Sequence, residues 1–155
     1  MEKITNPFFA RLFFIVKLPM AWLAGLRIRE LSDKKAIVSV PFKYLTKNPF
    51  RSTYFACLSM AAELSTGVLA LQAIKNSSQK VSMLVTANSS EFYKKAVTRT
   101  YFTCSEGATI IETIEKAIQT GEGQSITVSS TGTDKHGNAI ANFKFEWSFK
   151  VKSKP

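Results

Sequence analysis

The stretch Lys47-Asn48-Pro49-Phe50-Arg51-Ser52-Thr53-Tyr54-Phe55-Ala56-Cys57-Leu58-Ser59-Met60-Ala61-Ala62-Glu63-Leu64-Ser65-Thr66-Gly67 decides how the rest of the chain is read. Asn48-Pro49 marks a turn, because proline disfavours helical geometry in the residue before it. Ser52 or Thr53 can then cap a helix. From Tyr54 to about Ile74 there is no proline, and Gly67 is the only strongly helix-weakening residue. Small and large apolar residues occupy nearly the whole circumference, which predicts a buried helix rather than a surface one. One carboxylate, Glu63, sits inside it. A buried carboxylate must be paired, protonated or put to use.

On the amino-terminal side, Pro7 to Leu18 reads as a helix with Asn6 as N-cap and Pro7 at its first position. Phe8, Phe9, Leu12, Phe13, Ile15 and Val16 give it a broad apolar face that needs a cover. The expected cover is protein, within the chain or its oligomer; contact of residues 7–24 with a membrane surface is the alternative. Pro19 ends this helix and Met20 to Ala24 reads as a turn. Residues 26–31 and 36–42 then form a hairpin around Asp33-Lys34-Lys35. The alternation of Leu26, Ile28 and Glu30 against Arg27, Arg29 and Leu31 is imperfect, as near an edge or a ligand.

Beyond the long helix, residues 80–87 read as a strand, 88–95 as irregular and 96–104 as a further strand carried by its β-branched and aromatic content. Gly107 to Thr120 is an amphipathic helix with Ile110, Ile111, Ile114, Ala117 and Ile118 facing in. Residues 124–133 and 139–151 close a last hairpin around Asp134-Lys135-His136-Gly137-Asn138. The whole is a single α+β domain over 1–155, with 1–24 as a helical extension and 25–152 as its core.

Composition narrows the function classes. The chain has 155 residues, 45% of them hydrophobic and twelve of them Phe, which excludes a disordered chain. Cys57 and Cys104 form no framework or metal-type spacing with His136, and read as reduced core residues that favour the cytoplasm. Residues 1–51 carry ten Lys/Arg against three acids (Glu2, Glu30, Asp33) within a net charge of +10. The bases are scattered and no zinc, helix-turn-helix or RNA-binding signature accompanies them, so nucleic acid is not an expected partner. The start has little positive charge and no cleavage site, so no secretion signal is read. The apolar run Leu12 to Val16 is too short to span a bilayer.

The hairpin, buried helix and following strands resemble the hotdog fold of acyl-CoA thioesterases and dehydratases, over roughly residues 19–150. The Asn48-to-Glu63 stretch is similar to the active-site segment of phenylacetate-pathway-type thioesterases. In those enzymes an Asn precedes a His-Gly-Gly helix start and an acidic residue follows one to two turns later. Here Tyr54, Phe55 and Ala56 stand where His-Gly-Gly would be, and Glu63 stands for the more usual Asp. The closest likeness is to an uncharacterised thioesterase-like subfamily.

The resemblance implies an antiparallel sheet wrapped around the 53–74 helix, and a homodimer or homotetramer with acyl pockets at the subunit interface. It also implies hydrolysis of acyl-CoA or acyl-carrier thioesters without metal or prosthetic group, CoA or phosphopantetheine being part of the substrate. Glu63 would act as nucleophile or base, Asn48 would hold water or the thioester oxygen, and the backbone N–H groups near Phe55 and Ala56 would polarise the carbonyl. Tyr54, Ser59, Thr66 and Ser82 are candidate pocket residues.

Each candidate has a plainer role. Glu63 can be a structural carboxyl bonded to Arg51, Arg99 or another subunit, and Asn before Pro is a common turn former. No Ser-His-Asp arrangement can be built, because the one imidazole, His136, falls in a turn. The competing class is a hotdog protein without catalysis that binds acyl ligands or a protein partner.

Overall fold

The computed structural model describes residues 7–152, with side chains from residue 12 onward. The N-cap expected at Asn6 and the side chains of Phe8 and Phe9 lie outside the described residues. Helix α1 (Pro7–Lys17) is followed directly by α2 (Pro19–Ala24), where the sequence predicted only a turn. Pro19 both stops one helix and starts the next, since its fixed φ and missing N–H suit a first helical position. Gly25 ends α2 with φ 81°, and its N–H returns to the carbonyls of Ala21 and Trp22.

Strands β1 (Arg27–Leu31) and β2 (Ala36–Val40) form the predicted hairpin. The pairing slips between Ile28 and Glu30, which accounts for the imperfect alternation there. A short 3₁₀ turn (Tyr44–Thr46) leads to the long helix α3 (Phe55–Asn76). Then come β3 (Val81–Phe92), β4 (Thr100–Cys104), α4 (Gly107–Thr120), β5 (Gln124–Thr133) and β6 (Ala139–Val151). The six strands make one sheet in the order β1-β2-β4-β5-β6-β3. Every neighbouring pair is antiparallel.

Strand β3 is longer than its sequence suggests. Asn88, Ser89 and Ser90 are poor strand formers, yet they pair opposite Phe145, Lys144 and Phe143. The long ladder offered by β6 overrides local propensity. Strand β4 is shorter, because Ala96 is needed elsewhere: its carbonyl accepts from both the Thr53 N–H (2.8 Å) and the Thr53 hydroxyl (2.9 Å).

The sheet curls around α3, the hotdog arrangement. Ala61, Ala62 and Ala70 of α3 are fully enclosed, small enough to bring the helix close to the sheet. Against them stand Val38 and Val40 of β2, Phe102 of β4, Val128 of β5, and Phe143 and Phe149 of β6. Phe143 meets Phe102 edge-on with centroids 5.6 Å apart and stacks on Phe145 at 6.0 Å. Helix α4 packs against α3 and against strands β5 and β6, with Ile110, Ile114 and Ala117 buried. Among the described helices α3 alone is long and apolar enough to cross a membrane, and most of it is buried inside the protein. Both cysteines are free and buried. Burial pushes the Cys104 thiol up to about 11.

Candidate active site at the start and open face of α3

The chain enters α3 through a tightly held loop. Lys47 and Thr53 face each other in an isolated antiparallel bridge, and the Tyr54 N–H donates to the Thr46 carbonyl at 2.7 Å. Asn48 organises the turn between them. Its side-chain oxygen accepts from the N–H of Phe50 (3.0 Å), the N–H of Ser52 (3.2 Å) and the Ser52 hydroxyl (3.2 Å). Arg51 takes φ 59°, a left-handed conformation costly for a side chain of this kind. With its oxygen spent on the loop, Asn48 has only its amide N–H₂ left to offer a ligand.

The helix begins one residue later than the sequence suggested. Tyr54 is the N-cap, neither Ser52 nor Thr53, and no side chain caps the end. The first intrahelical bonds reach the Tyr54 carbonyl from Cys57 (2.9 Å) and Leu58 (3.3 Å). The N–H groups of Phe55 and Ala56 precede them and have no partner among the described residues. Tyr54 and Phe55 are both about half exposed, and their rings meet edge-on at 5.2 Å. These donors therefore open beside an aromatic pair.

Glu63 lies two turns further on, along the side of α3 that the sheet leaves open. Ala56, Ser59, Met60 and Glu63 are only part-buried, whereas Ala61, Ala62, Leu64 and Ser65 on the other sides are buried. Gly67, one turn beyond Glu63, leaves room for the carboxylate. A methyl at Gly67 would stand 3.4 Å from Glu63 Oε1 and 3.5 Å from the Trp147 ring. The carboxylate thus rests near an indole edge, without a charge partner. The alternatives Arg51 and Arg99 do not pair with it, and the one ion pair among the described residues is Lys35 with Glu30. Burial raises its pKa above the ordinary Glu value.

The other candidates are placed differently. Thr66 is fully buried, and its hydroxyl is spent: it donates to the Glu63 carbonyl at 2.8 Å and accepts from Trp147 Nε1 at 2.9 Å. It fixes the helical turn that carries Glu63 and is not a free pocket hydroxyl. Ser65 and Ser130 share a buried hydrogen bond of 2.7 Å that ties α3 to β5. Ser82 is exposed on the edge strand and donates to the Lys150 carbonyl. Ser59 has no hydrogen-bond partner among the described residues and remains on the open stripe. His136 is exposed in the β5–β6 turn.

Two grooves meet at Asn48. One, of about 340 Å³, runs past Thr53, Phe55, Leu58, Phe92 and Tyr93. The other, of about 590 Å³, is lined by Lys43, Tyr44, Lys47 and Arg51. Glu63 lines neither, so one chain brings Asn48 and the helix start together but leaves Glu63 on an adjoining face. Sequence reading missed Trp147, whose ring and N–H shape the surroundings of Glu63 from 84 positions away. Among the described residues no group of three His, Cys, Asp or Glu side chains is placed to hold a metal ion.

The family described as Domain of unknown function (DUF4442) matches residues 7–149. The chain belongs to that family. No curated protein matches this DUF4442 chain in sequence. Among solved structures it is similar to a Pseudomonas aeruginosa protein of unknown function described as a probable thioesterase. That likeness has a TM-score of 0.78 at 21% identity, covering 92% of this chain and 94% of that one. A Chlorobaculum tepidum protein of unknown function has a TM-score of 0.79 at 13% identity, with 92% of each chain covered. The Escherichia coli PaaI protein, from the phenylacetic acid degradation operon, has a TM-score of 0.60 at 12% identity, covering 90% of this chain and 88% of that one. Identities this low show a shared fold, the hotdog.

Proposed function

We propose that the protein hydrolyses acyl thioesters, carried on CoA or on an acyl-carrier protein, with Glu63 as the working carboxylate. The observation that carries this reading is the state of Glu63. It is part-buried without a cation, its pKa is raised by burial alone, and it lies on a part-buried stripe of a mostly buried helix. A carboxylate with a raised pKa is a better proton acceptor toward water than an ordinary one. The unpartnered N–H groups of Phe55 and Ala56 sit at the positive end of the same helix, where they suit the oxygen of a tetrahedral intermediate. In this account water attacks the thioester carbonyl as its proton passes to Glu63, and the thiolate leaves with a proton returned to it. Asn48 contributes through its free amide and through the loop it holds.

A single chain does not bring Glu63 and the Asn48 grooves together, which favours a site completed by a second copy. Strand β3 offers its outer edge along Val81–Phe92, and an exposed edge of that length invites pairing. A homodimer joined there forms one continuous sheet. The test is a hydrolysis screen over short, medium and long acyl-CoA and acyl-carrier thioesters, with the oligomeric state measured in parallel. Turnover of at least one class by a dimer, lost in Asn48→Ala, supports the reading. Failure across all classes removes the enzyme reading; acyl binding without turnover would make the pocket a binding module.

A further inference from the structure

Helices α1 and α2 turn a large part of their apolar surface outward. Phe14, Ala21 and Ala24 are buried against the core, but Leu12, Ile15, Val16, Met20, Trp22 and Leu23 are exposed, Val16 by 63% and Met20 by 64%. The 3₁₀ turn continues this surface. Lys43 Nζ donates to the Leu23 carbonyl at 2.9 Å, so the turn lies beside α2. On it Tyr44 is 79% and Leu45 57% exposed. Isolated exposed apolar residues are ordinary, but a contiguous set of this size marks an interaction face.

Charge selects the occupant. Lys17 is exposed at the end of α1, Lys47 lies over the Tyr44 ring at 4.6 Å, and Lys43, Lys47 and Arg51 line one cleft beside it. No acidic residue occurs in 7–26 or in 40–62. The carboxylates between them are engaged elsewhere, Glu30 with Lys35 and Asp33 with Gln72. A second copy of this basic face would repel it. A bilayer with anionic headgroups offers phosphates to the ammonium and guanidinium groups and hydrocarbon to the aliphatic side chains. Trp and Tyr, amphipathic rings with one polar atom, suit the boundary between the two.

We propose that the α1–α2 face, with the 44–51 loop, docks on an anionic phospholipid surface. The inference does not rest on the thioester reading, although it places the loop leading to α3 near the lipid. The protein would lie on the surface, with Met20, Trp22 and Leu23 entering the interface and Lys17, Lys43 and Lys47 at headgroup level.

The experiment is co-sedimentation of the full chain with phosphatidylcholine vesicles, with and without phosphatidylglycerol. The expected result is binding to the anionic vesicles, weakened by salt, with a blue shift of tryptophan fluorescence that Trp22→Phe removes. Met20→Ser with Leu23→Ser should reduce partitioning on the order of tenfold or more. Lys17→Glu with Lys47→Glu should reduce it by a similar factor on anionic vesicles only. These side chains are exposed, and circular dichroism confirms that the variants fold. Absence of binding to anionic vesicles overturns the proposal, as does binding that both pairs of substitutions leave intact. If Met20→Ser with Leu23→Ser instead dissociates an oligomer in the absence of lipid, a second copy is the occupant and the proposal falls.

Discussion

Two apolar helical regions in this chain meet opposite fates. Helix α3 is enclosed by the sheet and by α4, with Ala61, Ala62 and Ala70 fully buried. The α1–α2 pair is as apolar in sequence, yet among its described side chains only Phe14, Ala21 and Ala24 are buried. Composition cannot separate the two; cover can. The long helix is flanked in sequence by strands that reach it, whereas the α1–α2 pair precedes the first strand and buries Phe14, Ala21 and Ala24. The polar groups follow the same division. Ser65 and Thr66 are buried and hydrogen-bonded to the sheet, while Glu63 is part-buried and has no ionic partner among the described residues.

The contrast can be broken most forcefully in the core. Leu64→Ala removes a buried side chain from α3 and should cost about 2–5 kcal/mol, read as a large fall in Tm. Thr66→Val keeps the shape but leaves Trp147 Nε1 without its acceptor; the expected cost is about 1–3 kcal/mol in denaturant unfolding.

Glu63→Gln should behave in the opposite sense. Its folded pKa is raised, so the folded state holds this proton more tightly than the unfolded state. Wild-type stability from the neutral form is present below the unfolded pKa and is lost as pH rises through the folded pKa. The Tm of Glu63→Gln relative to wild type should therefore increase as pH rises from acid toward neutral. A carboxylate held by a cation would give the reverse trend. The smallest effect belongs to α2: Leu23→Ser should change stability by about 0.5 kcal/mol or less, since its side chain is exposed rather than packed in the core.

Much of the fold was legible because α3 and α4 carry long, uninterrupted patterns and the strands after them alternate or run to β-branched residues. Helix α2 was not, because Pro19 reads equally as a stop and as a start. The far half of β3 was hidden by Asn88-Ser89-Ser90, which pair only because β6 is there. At the site, Glu63 could be found as a lone charge in an apolar helix. The pairing of Thr66 with Trp147 could not, since a contact across 81 positions leaves no local mark. Asn48 was visible as a turn former, but only the loop's hydrogen bonds show that its oxygen is already used.

The most direct test is to measure thioester turnover and Tm on the same preparations of wild type and Glu63→Gln. With Glu63 as the working base, the variant should keep or gain thermal stability at neutral pH and lose on the order of 10²–10⁴ in turnover. A variant that hydrolyses thioesters at the wild-type rate, or that loses activity only because it unfolds, would contradict the account.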